Sequence, residues 1–224
     1  MASITEENYL KALFTLANDD GEVNLSDLSE LLKVSKPTAN SMVKNLQRQG
    51  MVNYEKYKPL SLTDTGKKTA ALVIRKHRLT EMYLVEKMGF GWEEVHEIAE
   101  QIEHIKSPNF FDRMDQLMGN PSLDPHGSPI PDKQGRIVKP SHEPLINFEA
   151  GAEVRLSALA NSEAEFLEFL NNRKLKLGTR LKVVSTEPFD GSMVVDYNDH
   201  SGITLGSKAC ERLLVQKISP PGSN

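Results

Sequence analysis

Residues 26–63, SDLSELLKVSKPTANSMVKNLQRQGMVNYEKYKPLSLT, decide the fold of the N-terminal part of the chain. A short leucine-bearing helix comes first, and a second helix begins after a tight turn. Ser35 is a good N-cap for that second helix, and Pro37 is tolerated because N–H groups in a first helical turn lack partners within the helix. Gly50 is a natural C-terminal stop. Two short helices joined in this way predict a helix-turn-helix.

The rest of this stretch adds a wing. Residues 51–63 predict two short strands around a basic tip. In a winged helix-turn-helix, the N-terminal half of the second helix enters the major groove while the wing contacts phosphates. The predicted DNA-contacting residues are therefore Ser35, Lys36, Pro37, Thr38, Asn40, Ser41 and Lys44 on the second helix, and Lys56, Tyr57 and Lys58 on the wing. The alternative is a winged helix that contacts only protein.

The distribution of charge favours a nucleic-acid partner. The 224 residues carry a formal net charge of −4. Between Lys33 and Arg78, however, eleven residues are Lys or Arg and only Glu55 and Asp64 are acidic, so this segment carries +9 and the remainder −13. A basic face localised on an otherwise acidic protein indicates binding to a polyanion such as double-stranded DNA.

Three features bear on the cellular compartment. The N-terminal residues have neither a basic start nor an apolar run, so no secretory signal is expected. No stretch approaches the roughly 20 apolar residues that span a bilayer. Cys210 is the only cysteine, which fits a reducing compartment. Together they predict a cytoplasmic protein with no membrane partner.

The remaining sequence predicts a mainly α chain with a small β part. Residues 64–122 contain long helices whose apolar surface exceeds what the winged helix of residues 1–63 can cover, which indicates a homodimer. A Pro- and Gly-rich tether follows over residues 123–144. Residues 145–218 contain five short alternating apolar runs, which predict a small β-barrel of about 70 residues.

Histidine and glutamate recur at helical spacing within the helical part. His77 and Glu81 are four residues apart and share one face of a helix predicted to end at Gly89. A further helix is predicted over roughly residues 92–106, and the ligand types within an arc of about 100° on it are His96, Glu100, Glu103 and His104. Imidazole and carboxylate groups on adjoining helices can converge on one divalent cation. Spacing alone leaves open that they form surface pairs.

An enzymatic role is not expected. His96-Glu97-Ile98-Ala99-Glu100 has a glutamate where a zinc protease motif needs its second histidine. A metal-dependent hydrolase would also need an open coordination position beside a placed general base, and the sequence offers no such combination. A metal-dependent hydrolase is therefore the less favoured alternative. No small organic substrate is expected.

The order of these parts resembles the diphtheria toxin repressor family of iron- and manganese-dependent regulators. The resemblance covers essentially the whole chain. Its most specific pieces are Arg75-Lys76-His77-Arg78-Leu79-x-Glu81, the run from His96 to Glu103-His104, and Asp124-Pro125-His126-Gly127-Ser128-Pro129-Ile130-Pro131. It implies an N-terminal winged helix-turn-helix DNA-binding domain, a helical dimerisation and metal-binding domain, and a C-terminal SH3-like small β-barrel.

The resemblance also implies two neighbouring metal positions. The ligands carried over are His77, Glu81 and His96 for the first, and Glu100, Glu103, His104 and Asn8 for the second. Asn8 stands where relatives carry Met or Asp. Lys11 stands where manganese-type relatives have Glu, which argues against their closely spaced two-metal cluster. Iron-type members draw further ligands from the barrel, for which Asn161 and Glu163 are the candidates.

The function implied by the resemblance is repression of metal-uptake genes when metal is bound, by a homodimer on a palindromic operator. Glu100 occupies a position that is Glu in manganese regulators and Cys in the best-known iron regulators. A site of oxygen and imidazole ligands suits Mn2+, with Fe2+ as the alternative. A different regulator, one that senses an organic ligand and keeps the His/Glu cluster for structure alone, is the other alternative.

Overall fold

The computed structural model describes residues 2–138 and 140–218 and begins with a winged helix. Its helices and strands are α1 (Ile4–Leu16), β1 (Glu22–Val23), α2 (Leu25–Leu31), α3 (Lys36–Arg48), β2 (Val52–Asn53) and β3 (Leu60–Leu62). The strands form an antiparallel sheet in the order β1-β3-β2. As predicted, Ser35 caps α3 by accepting a hydrogen bond from the backbone N–H of Thr38. Apolar faces of α1, α2 and α3 meet the sheet in one core.

Three further helices follow: α4 (Asp64–Met88), α5 (His96–Ile102) and α6 (Pro108–Leu117). Gly89, at φ 76°, ends α4 in the left-handed region as predicted. The expectation of a helix over residues 92–106 is wrong at both ends. Trp92 lies in a turn before α5, where its indole Nε1 donates to Asn171 Oδ1 of the C-terminal domain, 2.9 Å away. At the other end, the Glu103 carbonyl accepts from Lys76 Nζ at 2.5 Å.

The C-terminal domain is a six-stranded antiparallel sheet in the order β4-β9-β5-β6-β7-β8. Its elements are β4 (Glu143–Pro144), β5 (Glu153–Leu159), α7 (Ala164–Asn172), β6 (Arg180–Thr186), β7 (Met193–Tyr197), β8 (His200–Leu205), α8 (Ser207–Arg212) and β9 (Leu213–Lys217). The five predicted strands are present, and alternate residues of β5 and β7 face a core that α7 completes. Strand β4 comes from the segment predicted as a tether.

The start of the predicted tether is an ordered segment, which we call the connector (residues 123–131). Asp124 and His126 are only 5% and 3% exposed, so this part is not a solvated linker. The Asp124 carboxylate accepts from the backbone N–H groups of His126 and Ser128 at 2.8 and 2.9 Å. At Gly127, φ is 84° and a Cβ would lie 2.3 Å from the Ser157 carbonyl oxygen. The connector is thereby held between α4 and β5.

Among residues 2–138 and 140–218, no helix combines the length and apolarity that a membrane span requires.

Gly66 is the point where α4 meets the wing, and we expect Gly66→Ala to lower the melting temperature by on the order of 5 °C. A Cβ at this position would lie 2.0 Å from the Met51 carbonyl oxygen, so backbone must move. Thermal unfolding followed by circular dichroism measures the effect. Gly206→Ala is the control because its added Cβ meets no atom within 4 Å. Equal melting temperatures for the two variants would contradict the packing argument.

Candidate metal centre and nucleic-acid interface

A buried carboxylate on α4 lies at the centre of the site. Glu81 is 2% exposed, and its Oε1 lies 3.0 Å from His77 Nε2 and 3.4 Å from His96 Nδ1. Its Oε2 lies 3.7 Å from Nδ1 of His126 in the connector. The structure thus brings together the three residues predicted for the first metal position. It also adds a histidine to which the sequence analysis gave no role.

Two overlapping sets of donor atoms could hold a divalent cation here. The donors of His77, Glu81 and His96 lie within 4.8 Å of one another, and so do those of Glu81, Asp124 and His126. Ligand atoms bound to one such ion at about 2.1 Å lie up to roughly 4.2 Å apart, so small side-chain rotations would close either set on an ion. The sequence signal for Asp124 and His126 was the match of residues 124–131 to the family pattern. The Pro- and Gly-rich composition of the same stretch predicted only a tether.

All three parts of the chain line the cleft beside Glu81, which measures about 460 Å³. The C-terminal domain contributes Leu159, Ala160, Asn161 and Ser162. The side-chain oxygen of Asn161 is buried without a hydrogen-bond partner among the described residues. Such an orphaned oxygen is costly unless a ligand satisfies it. Glu163, the other candidate barrel ligand, is 61% exposed and pairs with Arg212 at 3.0 Å instead. The structure therefore favours Asn161.

The electrostatics of the cleft follow from packing several titratable groups away from water. Burial acts to lower the pKa of His77, but hydrogen bonds with Glu103 and Glu81 raise it to about 9. Burial acts to raise the pKa of Glu81, yet hydrogen bonds from His126, His77 and His96 hold it well below its usual value. Burial, and then repulsion from Glu81, raises the pKa of Asp124. Without metal, the ionised Glu81 is therefore balanced by protonated imidazole.

In the second predicted set of ligands, a lysine lies between two of the carboxylates. Lys11 of α1 places its ammonium 2.5 Å from Glu100 Oε1 and 2.8 Å from Glu103 Oε1. Glu103 also lies 2.6 Å from Nδ1 of His77. His104, which follows the end of α5, pairs through Nδ1 with Glu7 at 2.7 Å. Among the described residues, Asn8 keeps a buried side-chain oxygen without a hydrogen-bond partner. Glu100 and Glu103 thus lie together with His77, and a lysine bridges them.

Helix α1 contacts both the metal-ligand helices and the predicted recognition helix. Lys11 and Glu7 lie one turn apart and face α5 and the residues after it. Glu6 faces the other way, and its Oε1 accepts hydrogen bonds from Asn45 Nδ2 at 2.8 Å and Gln49 Nε2 at 2.5 Å. A displacement of α1 relative to α5 would therefore act directly on α3 and the turn after it.

Six of the ten predicted DNA-contacting residues line one cleft, and Ser41 and Lys44 line a separate depression. The six are Lys36, Pro37, Asn40, Lys56, Tyr57 and Lys58. Asn40 is half-buried, and the exposed members are Ser35, Lys36, Pro37, Thr38, Ser41, Lys44, Lys56, Tyr57 and Lys58. The start of α3 and the wing face each other across an open cleft of about 710 Å³. At the wing tip, Tyr57 is 92% exposed at φ 70°, and the Lys56 ammonium lies 4.7 Å from its ring centroid. This surface presents cations and hydrogen-bonding groups to solvent, as phosphate and base contacts require.

Comparisons with known proteins match each part of this architecture. The iron dependent repressor, N-terminal DNA binding domain family matches residues 1–60. The iron dependent repressor, metal binding and dimerisation domain family matches residues 63–132, and the FeoA domain family matches residues 143–217. The chain is 28% identical over 228 residues to the iron-dependent repressor IdeR of Mycobacterium bovis, covering 96% of this chain and 97% of that protein.

Solved structures give the same result over nearly the full length. A manganese-dependent transcriptional repressor in complex with manganese superimposes with a TM-score of 0.85 at 31% identity, covering 95% of this chain and 100% of that chain. ScaR with bound Cd2+ superimposes with a TM-score of 0.82 at 30% identity, covering 95% and 99%. With its winged helix, buried His/Glu centre and C-terminal β domain, this chain belongs to the diphtheria toxin repressor family of metal-dependent, DNA-binding transcriptional regulators.

Proposed function

We propose that this chain is a cytoplasmic, manganese(II)-responsive repressor that binds palindromic operators of metal-uptake genes as a homodimer. The observation that carries the proposal is the convergence of three histidines and two carboxylates, Glu81 and Asp124, on one cleft that is open to solvent at His96. The donors are nitrogen and oxygen atoms, and the one cysteine, Cys210, is buried in the core of the C-terminal domain. Such a set suits Mn2+, with Fe2+ as the alternative. The protein acts by binding and not as an enzyme.

The metal position that we favour is centred on Glu81. His77 and His96 contribute from α4 and α5, Asp124 and His126 from the connector, and Asn161 from the C-terminal domain. The orphaned oxygen of Asn161 and the spacing of the other donors support this assignment. Bound metal would supply the positive charge that now comes from protonated imidazole. The ligands would then tie α4, α5, the connector and the barrel to one point.

A chain of contacts links the metal ligands to the recognition helix α3. His77 is shared, because its Nε2 faces Glu81 while its Nδ1 faces Glu103, which in turn holds Lys11 of α1. From α1, Glu6 reaches Asn45 and Gln49 in and just after α3. A fixed α1 would fix the position of α3 in each subunit. In a homodimer, that position sets whether both recognition helices reach half-sites one helical turn apart.

The direct test is fluorescence anisotropy with labelled promoters of the host's metal-uptake genes. We expect Mn2+ to tighten binding by roughly 10–100-fold relative to chelator, and Glu81→Gln to abolish that gain. Glu163→Gln is the matched control, since Glu163 points away to Arg212. Iron under anaerobic conditions and zinc would rank the metals. Equally tight binding in chelator, unchanged by Glu81→Gln, would leave the DNA-binding surface intact and refute metal sensing.

Metal affinity should rise with pH between 7 and 9. In the apo protein, His77 has a pKa of about 9, so at pH 7 it must lose a proton before Nε2 can bind metal. The expected slope is about tenfold in affinity per pH unit for each proton released. Calorimetry at pH 7.5 in two buffers of different ionisation enthalpy would count those protons, and His77→Ala should release fewer. An affinity that stays constant from pH 7 to 9 would show that His77 is not deprotonated on binding.

Glu6→Ala should weaken the coupling between metal binding and DNA binding. Loss of the two hydrogen bonds to Asn45 and Gln49 removes a direct link between α1 and the recognition helix. We expect the ratio of DNA affinities with and without Mn2+ to fall several-fold while metal affinity, measured by calorimetry, stays constant. Glu30→Ala removes a similar charge from the exposed surface of α2 and should leave the ratio unchanged. If Glu6→Ala leaves this ratio unchanged, the hydrogen bonds of Glu6 do not couple metal binding to DNA binding.

A further inference from the structure

Lys11 is a half-buried cation that lies beside the metal centre, on the side of Glu100 and Glu103. Its ammonium lies 2.5 Å from Glu100 Oε1 and 2.8 and 2.9 Å from the two oxygens of Glu103. The Lys11 side chain is 18% exposed and that of Glu103 is 0% exposed. An ammonium offers three donors, and here three carboxylate oxygens receive them. Lysine is seldom buried to this extent unless it is paired, so the contact is a built feature of the interface between α1 and α5.

The oxygens that Lys11 contacts belong to a set that could otherwise bind a metal. Donor atoms of His77, Glu100 and Glu103 lie within 4.8 Å of one another, as in the two sets around Glu81. A divalent ion in this third set would need the same carboxylate oxygens as the ammonium. Two positive charges a few ångströms apart in a partly buried site repel each other strongly. Occupation by lysine and by metal is therefore mutually exclusive.

We propose that Lys11 is a tethered cation that takes the place of a second divalent ion, so that each subunit holds one regulatory metal ion. The inference rests on the proposed function for the identity of the first ion, at Glu81. Lys11 supplies the positive charge that Glu100 and Glu103 require, and it also attaches α1 to α5 when no metal is bound. It is a positioning and specificity-determining residue that restricts metal binding to the Glu81 cleft.

The stoichiometry of Mn2+ tests the inference without reference to DNA. Equilibrium dialysis of the full-length protein, read out by elemental analysis and by the electron paramagnetic resonance of free Mn2+, counts the ions bound per subunit. We expect one ion in the wild type and two in Lys11→Met, which frees both carboxylates. Lys11→Arg keeps the charge and should bind one. Lys106→Met removes an exposed lysine close to His104 and should also bind one.

A second measurement uses the apo protein. In chelator, Lys11→Met leaves the buried Glu103 with His77 as its remaining cationic partner and Glu100 without its lysine. The melting temperature of this variant should therefore fall by on the order of 5 °C, and Mn2+ should restore it. Should Lys11→Met fail to fold in chelator, Lys11→Gln keeps hydrogen-bond donors while removing the charge. It should likewise bind two ions.

The outcomes separate the inference from the proposed function. Two ions of similar affinity in the wild type, or a single ion in both Lys11→Met and Lys11→Gln, would overturn the role of Lys11. No ion in the wild type but one in Lys11→Met would support that role and overturn the assignment of the first ion to Glu81. One ion in the wild type and two in Lys11→Met would support both.

Discussion

The Glu81 carboxylate is 2% exposed, and the rest of the centre depends on the need to compensate its charge. A carboxylate removed from water is stable only with cations or hydrogen-bond donors around it. Here His77 comes from the same helix, His96 from α5 and His126 from the connector. Because these partners come from three separate segments, one buried charge holds α4, α5 and the connector in a fixed relation.

In the metal site that we propose, the partners of the same carboxylate can exchange protons for metal. Its partners are imidazoles, whose protons a divalent ion can replace at neutral pH, whereas lysine or arginine in those positions would keep their charge. Asp124 lies beside the centre and faces Arg78 at 3.4 Å, and burial, followed by repulsion from Glu81, raises its pKa. Histidines therefore compensate the charge of Glu81, whereas Arg78 pairs with Asp124 of the connector.

Helix α4 connects this centre to both neighbouring domains. Near its first turn, Gly66 packs without a side chain against Met51, next to the wing. Farther along, the Arg75 guanidinium bonds the Pro131 carbonyl at 2.8 Å and the Asp115 carboxylate of α6 at 2.6 Å. These contacts join α4 to the wing at one end and to the connector and α6 farther along. Helix α1 adds a second set of contacts, from Lys11 to Glu103 and from Glu6 to Asn45.

Local chemistry made several features predictable. Ser35 before Lys36-Pro37 specifies the start of α3 through capping and the fixed φ of proline, and Gly89 specifies the end of α4. The pairing of His77 with Glu81 follows from helical spacing alone. Alternation of apolar residues located five of the strands in the C-terminal sheet. Each of these depends on neighbours within a few residues in the chain.

The sequence by itself therefore determined the winged helix, the long helix α4 and the first set of candidate ligands. Tertiary structure alone decided that α5 ends at Ile102, that Asp124 and His126 join Glu81, and that Asn161 lines the cleft. It also placed Lys11 between the carboxylates of Glu100 in α5 and of Glu103 just after it, 89 and 92 residues away in the chain. The physical reason is that burial and charge compensation act between residues distant in sequence, and no local periodicity encodes which of them meet.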